Sequence, residues 1–549
     1  MAEREPDSKD SRLKPTSAVL DEMHLGDIRG AFGTIRVSDV MPRRTWRRRL
    51  LTLLAILGPG MIVMVGDNDA GGITTYSQAG QDYGYSLLWT LLLLVPVLIV
   101  NQEMVVRLGA VTGVGHARLI KERFGRFWAV FSVGDLFVLN FLTIATEFVG
   151  IKQSAEYFGL TRWIVVPLAA LILIAITTTG NFRRWERAMF VFLAISLLMI
   201  PLAVMAHPDP VAAARGYVVP DIHGGLTSTA ALLIIAIVGT TVAPWQLFFQ
   251  QSNVIDKRIT PRWFAYEKAD TVIGSVVVVI GASAIIMTTA AAFTGTPEFG
   301  NFSSALGVAQ GLHLHNSYLL GAIYAVLLFD ASIVGASAVT LATSYAFGDV
   351  FGLRHSLHRG FREAKLFYGT YSAMVAVAAA IVLFAGNDLL SLVTVAVQAL
   401  AGILLPSASV FLVLLCNDTE VLGPWINKAW LNIVATAIVS VLLELSLILI
   451  ISTIFPSIDV TSLVIVLSAG LIAAMIVISA LIVRSPARVP EMSGEEKTNW
   501  RMPALALLQP ARWSLGRRAA ILAMQAYLGV AVLLLIVKAV QLALGHHSS

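Results

Sequence analysis

The sequence predicts an all-α polytopic membrane protein whose core is two inverted five-helix repeats. Three observations carry that prediction. The chain has 549 residues, of which 57% are hydrophobic and 13% charged, with mean hydropathy +0.77; a soluble domain is about 25% charged. Apolar runs of about 20 residues, each able to cross roughly 30 Å of hydrocarbon, recur thirteen times. The first and sixth runs carry glycine and polar residues at mid-depth, and interrupted helices in matching positions of two halves mark inverted-repeat carriers.

Each segment follows in chain order. Residues 1–48 are polar and open without an apolar region, so they read as a disordered cytoplasmic tail rather than a signal peptide. A core of two repeats fills 49–415. Its first run, 50–80, is broken at VGDNDAGG, and 85–106, 128–149, 162–180 and 187–206 complete the first half. The sixth run, 227–256, is broken around Gly239, Thr240, Thr241 and Pro244. It opens the second half, completed by 271–293, 317–343, 366–385 and 389–415. Five is odd, so the second half enters the membrane from the opposite side. Two further helices, 430–454 and 461–483, fall within 416–483. A cytoplasmic loop at 484–518 follows, and a last span at 519–543 lies in the closing segment 519–549.

Basic charge alternates between loops. RRTWRRR, RLIKERFGR, FRRWER, DKRITPR and LRHSLHRGFREAK lie on one side, whereas TGTPEFGNFSS and AGND carry no Lys or Arg. The positive-inside rule then places the N-terminus in the cytoplasm and the chain in the cytoplasmic membrane. A single cysteine, Cys416, excludes a disulfide framework and a Cys metal cluster. With no HEXXH and no Walker A loop, nothing points to an enzyme, to ATP hydrolysis or to a resident cofactor, and no feature points to nucleic acid. The expected partners are the lipid bilayer and a metal cation as substrate.

The chemistry concentrates at the first break. Asp67 and Asp69 fall near the bilayer centre, where a charge costs about 2.5–3.5 kcal/mol or more. No Lys or Arg lies between Arg49 and Arg107, so the segment cannot neutralise its own acids. Hard oxygen ligands without Cys or His suit Mg²⁺, Ca²⁺ or Mn²⁺ rather than Zn²⁺ or Cu⁺. The competing reading is that one aspartate caps the half-helix beginning near Gly72. That reading does not account for both acids and Asn68 together.

GPGMIVMVGDNDAGGITTYSQAGQDYGYSLLW resembles the first helix of the NRAMP family of divalent-metal transporters, which carries GPG, then Asp-Pro-Gly-Asn, then QAG and GY-LLW. QEMVVRLGAVTG (102–113) resembles its second helix, TVAPWQLFFQ its sixth, where the family has Met-Pro-His, and VQALAGILLP (397–406) its tenth. The resemblance spans about residues 50–455 and implies a LeuT-type fold and metal transport. It puts Asp69 on the family's metal-binding aspartate and the carbonyls of Gly66 and Thr240 toward the ion. Gln246 and Gln398 then stand behind the ligands. Departures are pointed. Ala70 replaces the proline, Gly72 the metal-binding asparagine, Ala243 the thioether methionine and Trp245 the histidine. A sulfur ligand favours Mn²⁺, Fe²⁺ and Cd²⁺ over Mg²⁺ and Ca²⁺, so its loss leaves a roomier, all-oxygen site. The pattern is most similar to the NRAMP-related magnesium transporters, with Asp67 and Asn68 supplying oxygens directly or through water.

The resemblance also places Glu147 on an acidic proton-pathway position and Gly150 on the next. Glu147 either serves the ion path or pairs with Lys152. Asp330 is a further cavity acid or, by preference, a helix-to-helix hydrogen bond, the role also expected of Asp135 and Glu444. Lys257 and Arg258 read as ordinary positive-inside charges, and Trp245 as a packing residue lining the path. The expected function is a secondary transporter of divalent cations, Mg²⁺ and/or Mn²⁺, working by alternating access. Proton coupling is expected to be weak or absent, because Trp245 and Gly150 cannot titrate. The alternative is a carrier of a small organic solute such as an amino acid; the acid pair beside the half-helix amides argues against a carboxylate.

Overall fold

Long apolar helices dominate the computed structural model, which describes residues 21–508 apart from 40, 386, 456–457 and 485–491, with scattered positions from 511 to 529. The first run is three helices rather than two: α1 (Trp46–Ile56), α2 (Pro59–Val65) and α3 (Ala70–Tyr83). Gly58, at φ 157°, and Pro59 at the first position of α2 make an elbow between α1 and α2 with a bend of 56°. Side chains other than glycine are strained at that φ, and proline fits the start of a helix because it has no N–H to lose.

The first half continues with α4 (Leu88–Thr112), the short α5 (His116–Phe124), α6 (Arg126–Tyr157), α7 (Arg162–Thr177), α8 (Phe182–Ser196) and α9 (Met199–Met205). A short α10 (Pro210–Val218) leads to the second half. There α11 (Ser228–Thr241) and α12 (Pro244–Asp256) are the interrupted sixth run. They are followed by α13 (Phe264–Phe293), the short α14 (Ala305–His315), α15 (Tyr318–Phe351), α16 (Lys365–Phe384) and α17 (Asn387–Cys416). After a turn of helix, α18 (Thr419–Leu422), come α19 (Ala429–Ile454) and α20 (Val460–Arg484). Among the described residues ten helices are long and apolar enough to cross a membrane, eleven if α1 and α2 count as one span, while α7 is apolar but shorter. The span expected at 519–543 lies almost wholly outside the described residues.

Helices in equivalent positions of the two halves pack on one another: α4 on α13, α6 on α15 and α7 on α16. The half-helices pair in the same sense, α3 with α11 and α2 with α12. This is the arrangement of an inverted repeat of the LeuT type. It brings the two breaks together in the most deeply buried part of the molecule.

The expected disordered tail is corrected from residue 21 onward. A 3₁₀ turn (Glu22–His24) precedes an antiparallel hairpin of β1 (Ile28–Gly30) and β2 (Gly33–Ile35), with Ile28 opposite Ile35. Ile28 and Ile35 bury with Ala55, Val106 and Val254. The charges find partners on the bundle: Arg359 grips Asp21 at 2.7 Å, and Arg258 donates to the Met23 carbonyl at 2.9 Å. Two three-residue strands leave almost no periodic trace in sequence, which is why composition alone reads them as disordered. The loop expected at 484–518 is likewise anchored where it is described, through a short helix (Gly494–Asn499) whose Lys497 carbonyl accepts the Trp425 indole N–H at 3.0 Å.

Candidate metal centre

The first break occupies residues 66–69. Two tight turns cross it: the Asp67 amide donates to Met64 at 3.2 Å and the Asn68 amide to Val65 at 3.1 Å. The second break is shorter, Val242 and Ala243, with Pro244 opening α12. Helix ends leave backbone groups without intrahelical partners, and here four such ends meet. The Gln246 amide meets one of these needs by donating to the Thr241 carbonyl at 3.2 Å, and it accepts from Gln102 at 2.8 Å.

Asp69 is the N-cap of α3, its Oδ1 accepting the Gly72 N–H at 2.6 Å. The capping reading is therefore realised for one aspartate, and it explains only that one. Asp67, 1% exposed, has both carboxylate oxygens without a hydrogen-bond partner. The Gln246 side chain lies beside it without meeting it at bonding geometry. Asn68 donates to the Val278 carbonyl at 3.2 Å, leaving its Oδ1 unpaired. The Thr240 hydroxyl and the Gln398 amide nitrogen are also buried without partners. Buried polar groups are rarely left unpaired, so several orphans at one place mark a seat for a ligand.

Gly72 defines that seat. A Cβ there would lie 2.6 Å from the Asp67 carbonyl oxygen, 3.0 Å from Thr240 Oγ1 and 3.4 Å from Asp69 Oδ1. The space beside Gly72 is thus ringed by three oxygens from both breaks, including groups of Asp67, Asp69 and Thr240 predicted from sequence. Gly71 performs a related service, leaving room for the Gln398 amide against α3. Ala243 and Trp245 are buried, and the Trp245 ring packs toward Gly66 and Phe249. Among the described residues no three His, Cys, Asp or Glu side chains form a ready cage; the donors are mostly carbonyl, hydroxyl and amide oxygens. Gly72→Ala should put a methyl group into the ring and weaken ion uptake about ten- to a hundred-fold, the scale of disturbing a metal's surroundings. Uptake with unchanged KM would show that the ion sits elsewhere.

Glu147 on α6 faces this site and not Lys152. Its Oε2 accepts the Ala70 N–H at 3.0 Å, and its carboxyl lies within hydrogen-bonding reach of Asp69. Gly335 on α15 makes the approach possible, since a Cβ there would lie 2.7 Å from the Asp69 Cβ and 2.8 Å from the Glu147 carboxyl. Lys152 instead pairs with Glu156 at 3.6 Å. Asp330 accepts from Ser196 on α8 at 2.7 Å, the helix-to-helix bond preferred on sequence. Glu444 accepts from Ser468 at 2.5 Å, and Ser407 lies 3.5 Å from Asp135.

One reading is overturned. Lys257 is not an ordinary surface charge: it is buried, pairs with Glu186 of α8 at 2.5 Å and donates to the Leu57 carbonyl at 2.8 Å. Across the elbow, Asp270 of α13 accepts from the amides of Gly58 (3.0 Å), Gly60 (2.8 Å) and Met61 (3.2 Å). A cation thus closes the carbonyl end of α1 and an anion the amide end of α2, each the sign that end prefers. The Ala31 N–H of the hairpin turn takes the other Glu186 oxygen at 2.5 Å. Sequence reasoning missed this clamp because its members come from five distant stretches; only Gly58-Pro59 hinted at an elbow.

The comparisons with known proteins agree with this fold. The family model described as natural resistance-associated macrophage protein-like matches residues 60–452. The divalent metal cation transporter MntH of Staphylococcus aureus is 26% identical over 433 residues, covering 73% of this chain and 91% of its own. The crystal structure of the Eremococcus coleocola manganese transporter, in complex with an aromatic bis-isothiourea substituted compound, superposes with a TM-score of 0.60 at 20% identity. It covers 82% of this chain and 99% of that one. A mutant of the same transporter gives 0.61 at 19% identity, with 83% and 98% covered.

Proposed function

The chain belongs to the Nramp family, and from that premise we propose that it is a secondary transporter of divalent metal cations. Mg²⁺ and Mn²⁺ are the ions its site suits. It works by alternating access across the cytoplasmic membrane, with its basic N-terminal end inside the cell. The observation that carries this reading is the ring of oxygens beside Gly72, together with two unpaired carboxylate oxygens on Asp67. Asp69, Asp67, Asn68 and Thr240 supply the side-chain oxygens, and the carbonyls of Gly66 and Thr240 add to them. A carboxylate substrate is disfavoured, because Asp69 already occupies the Gly72 amide that such a substrate would need.

Magnesium gives up its water reluctantly and favours oxygen over sulfur. Ala243 leaves the site without the sulfur that holds softer ions. Ala243→Met should therefore raise the preference for Cd²⁺ or Mn²⁺ over Mg²⁺ several-fold. Competition of Mg²⁺ against Cd²⁺ in both proteins measures it, and an unchanged ratio would mean that residue 243 does not face the ion.

Coupling to protons is weak in this reading. Of the three titratable positions that the resemblance implies, Trp245 and Gly150 cannot bind a proton, which leaves Glu147, in reach of Asp69, as the one of the three that can, with Asp330 as a stand-in. An inside-negative potential, worth about 2.3 kcal/mol per charge per 100 mV, suffices to draw in a divalent ion. The test is uptake by purified protein in liposomes, with Mg²⁺, Mn²⁺, Ca²⁺ and Fe²⁺ compared and a pH-sensitive dye inside. Mg²⁺ and Mn²⁺ entry with little acidification is expected. No uptake of any of the four ions would sink the function; strong acidification that vanishes in Glu147→Gln would sink the weak coupling alone.

A further inference from the structure

The segment ahead of α1 ties the two halves of the bundle together at one end. On the first half, Arg183 of α8 donates to the carbonyls of Gly30 (2.8 Å) and Gly33 (3.1 Å), and Arg187 to that of Ala31 at 3.0 Å. On the second half, Arg359, in the loop between α15 and α16, holds the Asp21 carboxylate. Arg258, just past α12, donates to the carbonyls of Met23 (2.9 Å) and Asp27 (3.1 Å). We propose that residues 21–35 are a latch that keeps the carrier closed toward the cytoplasm while docked, and whose arm, 21–27, must let go of the second half before the ion can leave on that side. This inference rests on the alternating-access reading above.

A carrier of this kind changes access by rocking one part of its bundle against the other around the site. Whatever spans the two parts on one side therefore opposes opening on that side. Buried His24 lies in the arm, donates to the His355 carbonyl at 3.2 Å and stands 3.6 Å from Asp256, the last residue of α12. Asp256 in turn accepts from Tyr345 of α15 at 2.6 Å and from the Leu357 amide at 2.8 Å. The ends of α12 and α15 and the loop that follows are thus fastened beneath the arm. The hairpin is fixed to the first half instead, with its Ala31 amide on Glu186 of α8. The arm works beside the Lys257–Glu186 pair, which joins the end of α12 to α8.

The strap is built to release as well as to hold. Ile28, Ala31 and Ile35 are buried, whereas Leu25 and Phe32 are exposed. A two-stranded hairpin is marginal alone, and a segment with few buried apolar contacts opens at far less than the cost of unfolding the protein. The polar anchors also divide along the chain. Among the described residues, those on the second half fall on Asp21, Met23, His24 and Asp27, and those on the first half fall on residues 30–34. The arm can therefore leave α12 and the α15–α16 loop while the hairpin stays seated on α8. A static brace would have no reason to keep its two sets of anchors on separate stretches.

Cysteine labelling of the full chain tests the latch without relying on transport. Asn253 lies two turns along α12 from Gln246, on the same helix face, and is buried with its side chain unpaired. In Asn253→Cys, an impermeant maleimide added to inside-out vesicles reacts only when the cytoplasmic side opens, and the parent without this cysteine gives the background. Adding Asp21→Ala should speed labelling about tenfold, the scale of losing one charge-assisted anchor. Arg359→Ala should do the same, and the two together should do little more. Glu22→Ala removes an exposed acid next to the anchor and should change labelling far less. In a second arm, Asp21→Cys/Arg359→Cys joined by a reducible bis-methanethiosulfonate should lose most metal uptake and regain it on reduction. Unchanged labelling in Asp21→Ala, even with a lowered melting temperature, equal acceleration in Glu22→Ala, or full uptake with the arm cross-linked would each overturn the latch. No uptake in the unlinked protein would count against the transport reading alone, and labelling would still decide the latch. If Asp21→Ala melts early, Asp21→Asn replaces it, keeping a side-chain oxygen for the Met23 amide and removing only the charge.

Discussion

Asp69→Ala should abolish metal uptake, at least about a hundred-fold below the parent, while the protein folds and inserts normally. The structure separates the two effects. As an N-cap, Asp69 holds the Gly72 amide, and losing such a cap costs about 1 kcal/mol, small against the 5–15 kcal/mol of a folded domain. As a ligand, it supplies a charged oxygen to a ring whose other members are mainly neutral. Asp69→Asn sharpens the test, because its side-chain oxygen still caps α3 while the charge is gone. Uptake should be lost in both. Restored uptake in the asparagine variant would mean that Asp69 matters only for holding the helix. Asp67→Asn should lose less, about tenfold, since it keeps one side-chain oxygen and leaves the Asp67 carbonyl beside Gly72 in place. Uptake rates and melting curves on the same preparations decide among these outcomes.

What could be read from the sequence follows from what each feature leaves behind locally. A glycine-rich acidic stretch inside apolar chain announces itself, because hydrocarbon tolerates broken backbone only where protein or a cavity encloses it. That logic marked Asp67 and Asp69; the resemblance to the NRAMP family added the Thr240 carbonyl, whereas the structure turns the Thr240 hydroxyl toward the space beside Gly72. Spacing also gave the inverted repeat, because α2–α3 and α11–α12 stand five helices apart. The Glu147–Asp69 contact could not be read with the same force. It depends on Gly335, far along the chain, leaving space between two carboxyls. The hairpin at 28–35 and the elbow clamp were invisible for the same reason. Their stability lies in pairs such as Ala31 with Glu186 and Lys257 with Leu57, separated by more than a hundred residues. Composition judges a segment by its own residues, and these segments are held by someone else's.

Lys257→Met should destabilise the protein by about 3–5 kcal/mol, the cost of stranding a buried charge. Glu186 is fully buried and takes Lys257 at 2.5 Å. Glu267 is equally buried, with neither carboxylate oxygen paired, and Asp270 lies on the same helix. Lys257 is the cation in contact with Glu186, so removing it strands that carboxylate in a region closed to water. It also strips the Leu57 carbonyl of its donor at the very point where α1 ends. Removing both partners should be milder than removing Lys257 alone. In Lys257→Met/Glu186→Met no uncompensated pair charge remains and the hydrophobic volume is largely kept, so the double variant should recover a substantial part of the loss. Arg258→Gln supplies the contrast: Arg258 is half-buried and donates to the backbone carbonyls of Met23 and Asp27 just ahead of the hairpin, so its loss should cost about 1 kcal/mol. Unfolding of the four proteins in the same detergent gives the comparison. A Lys257→Met cost no larger than that of an exposed ion pair, at most about 1 kcal/mol, would show that water reaches the elbow and that the clamp is a surface contact.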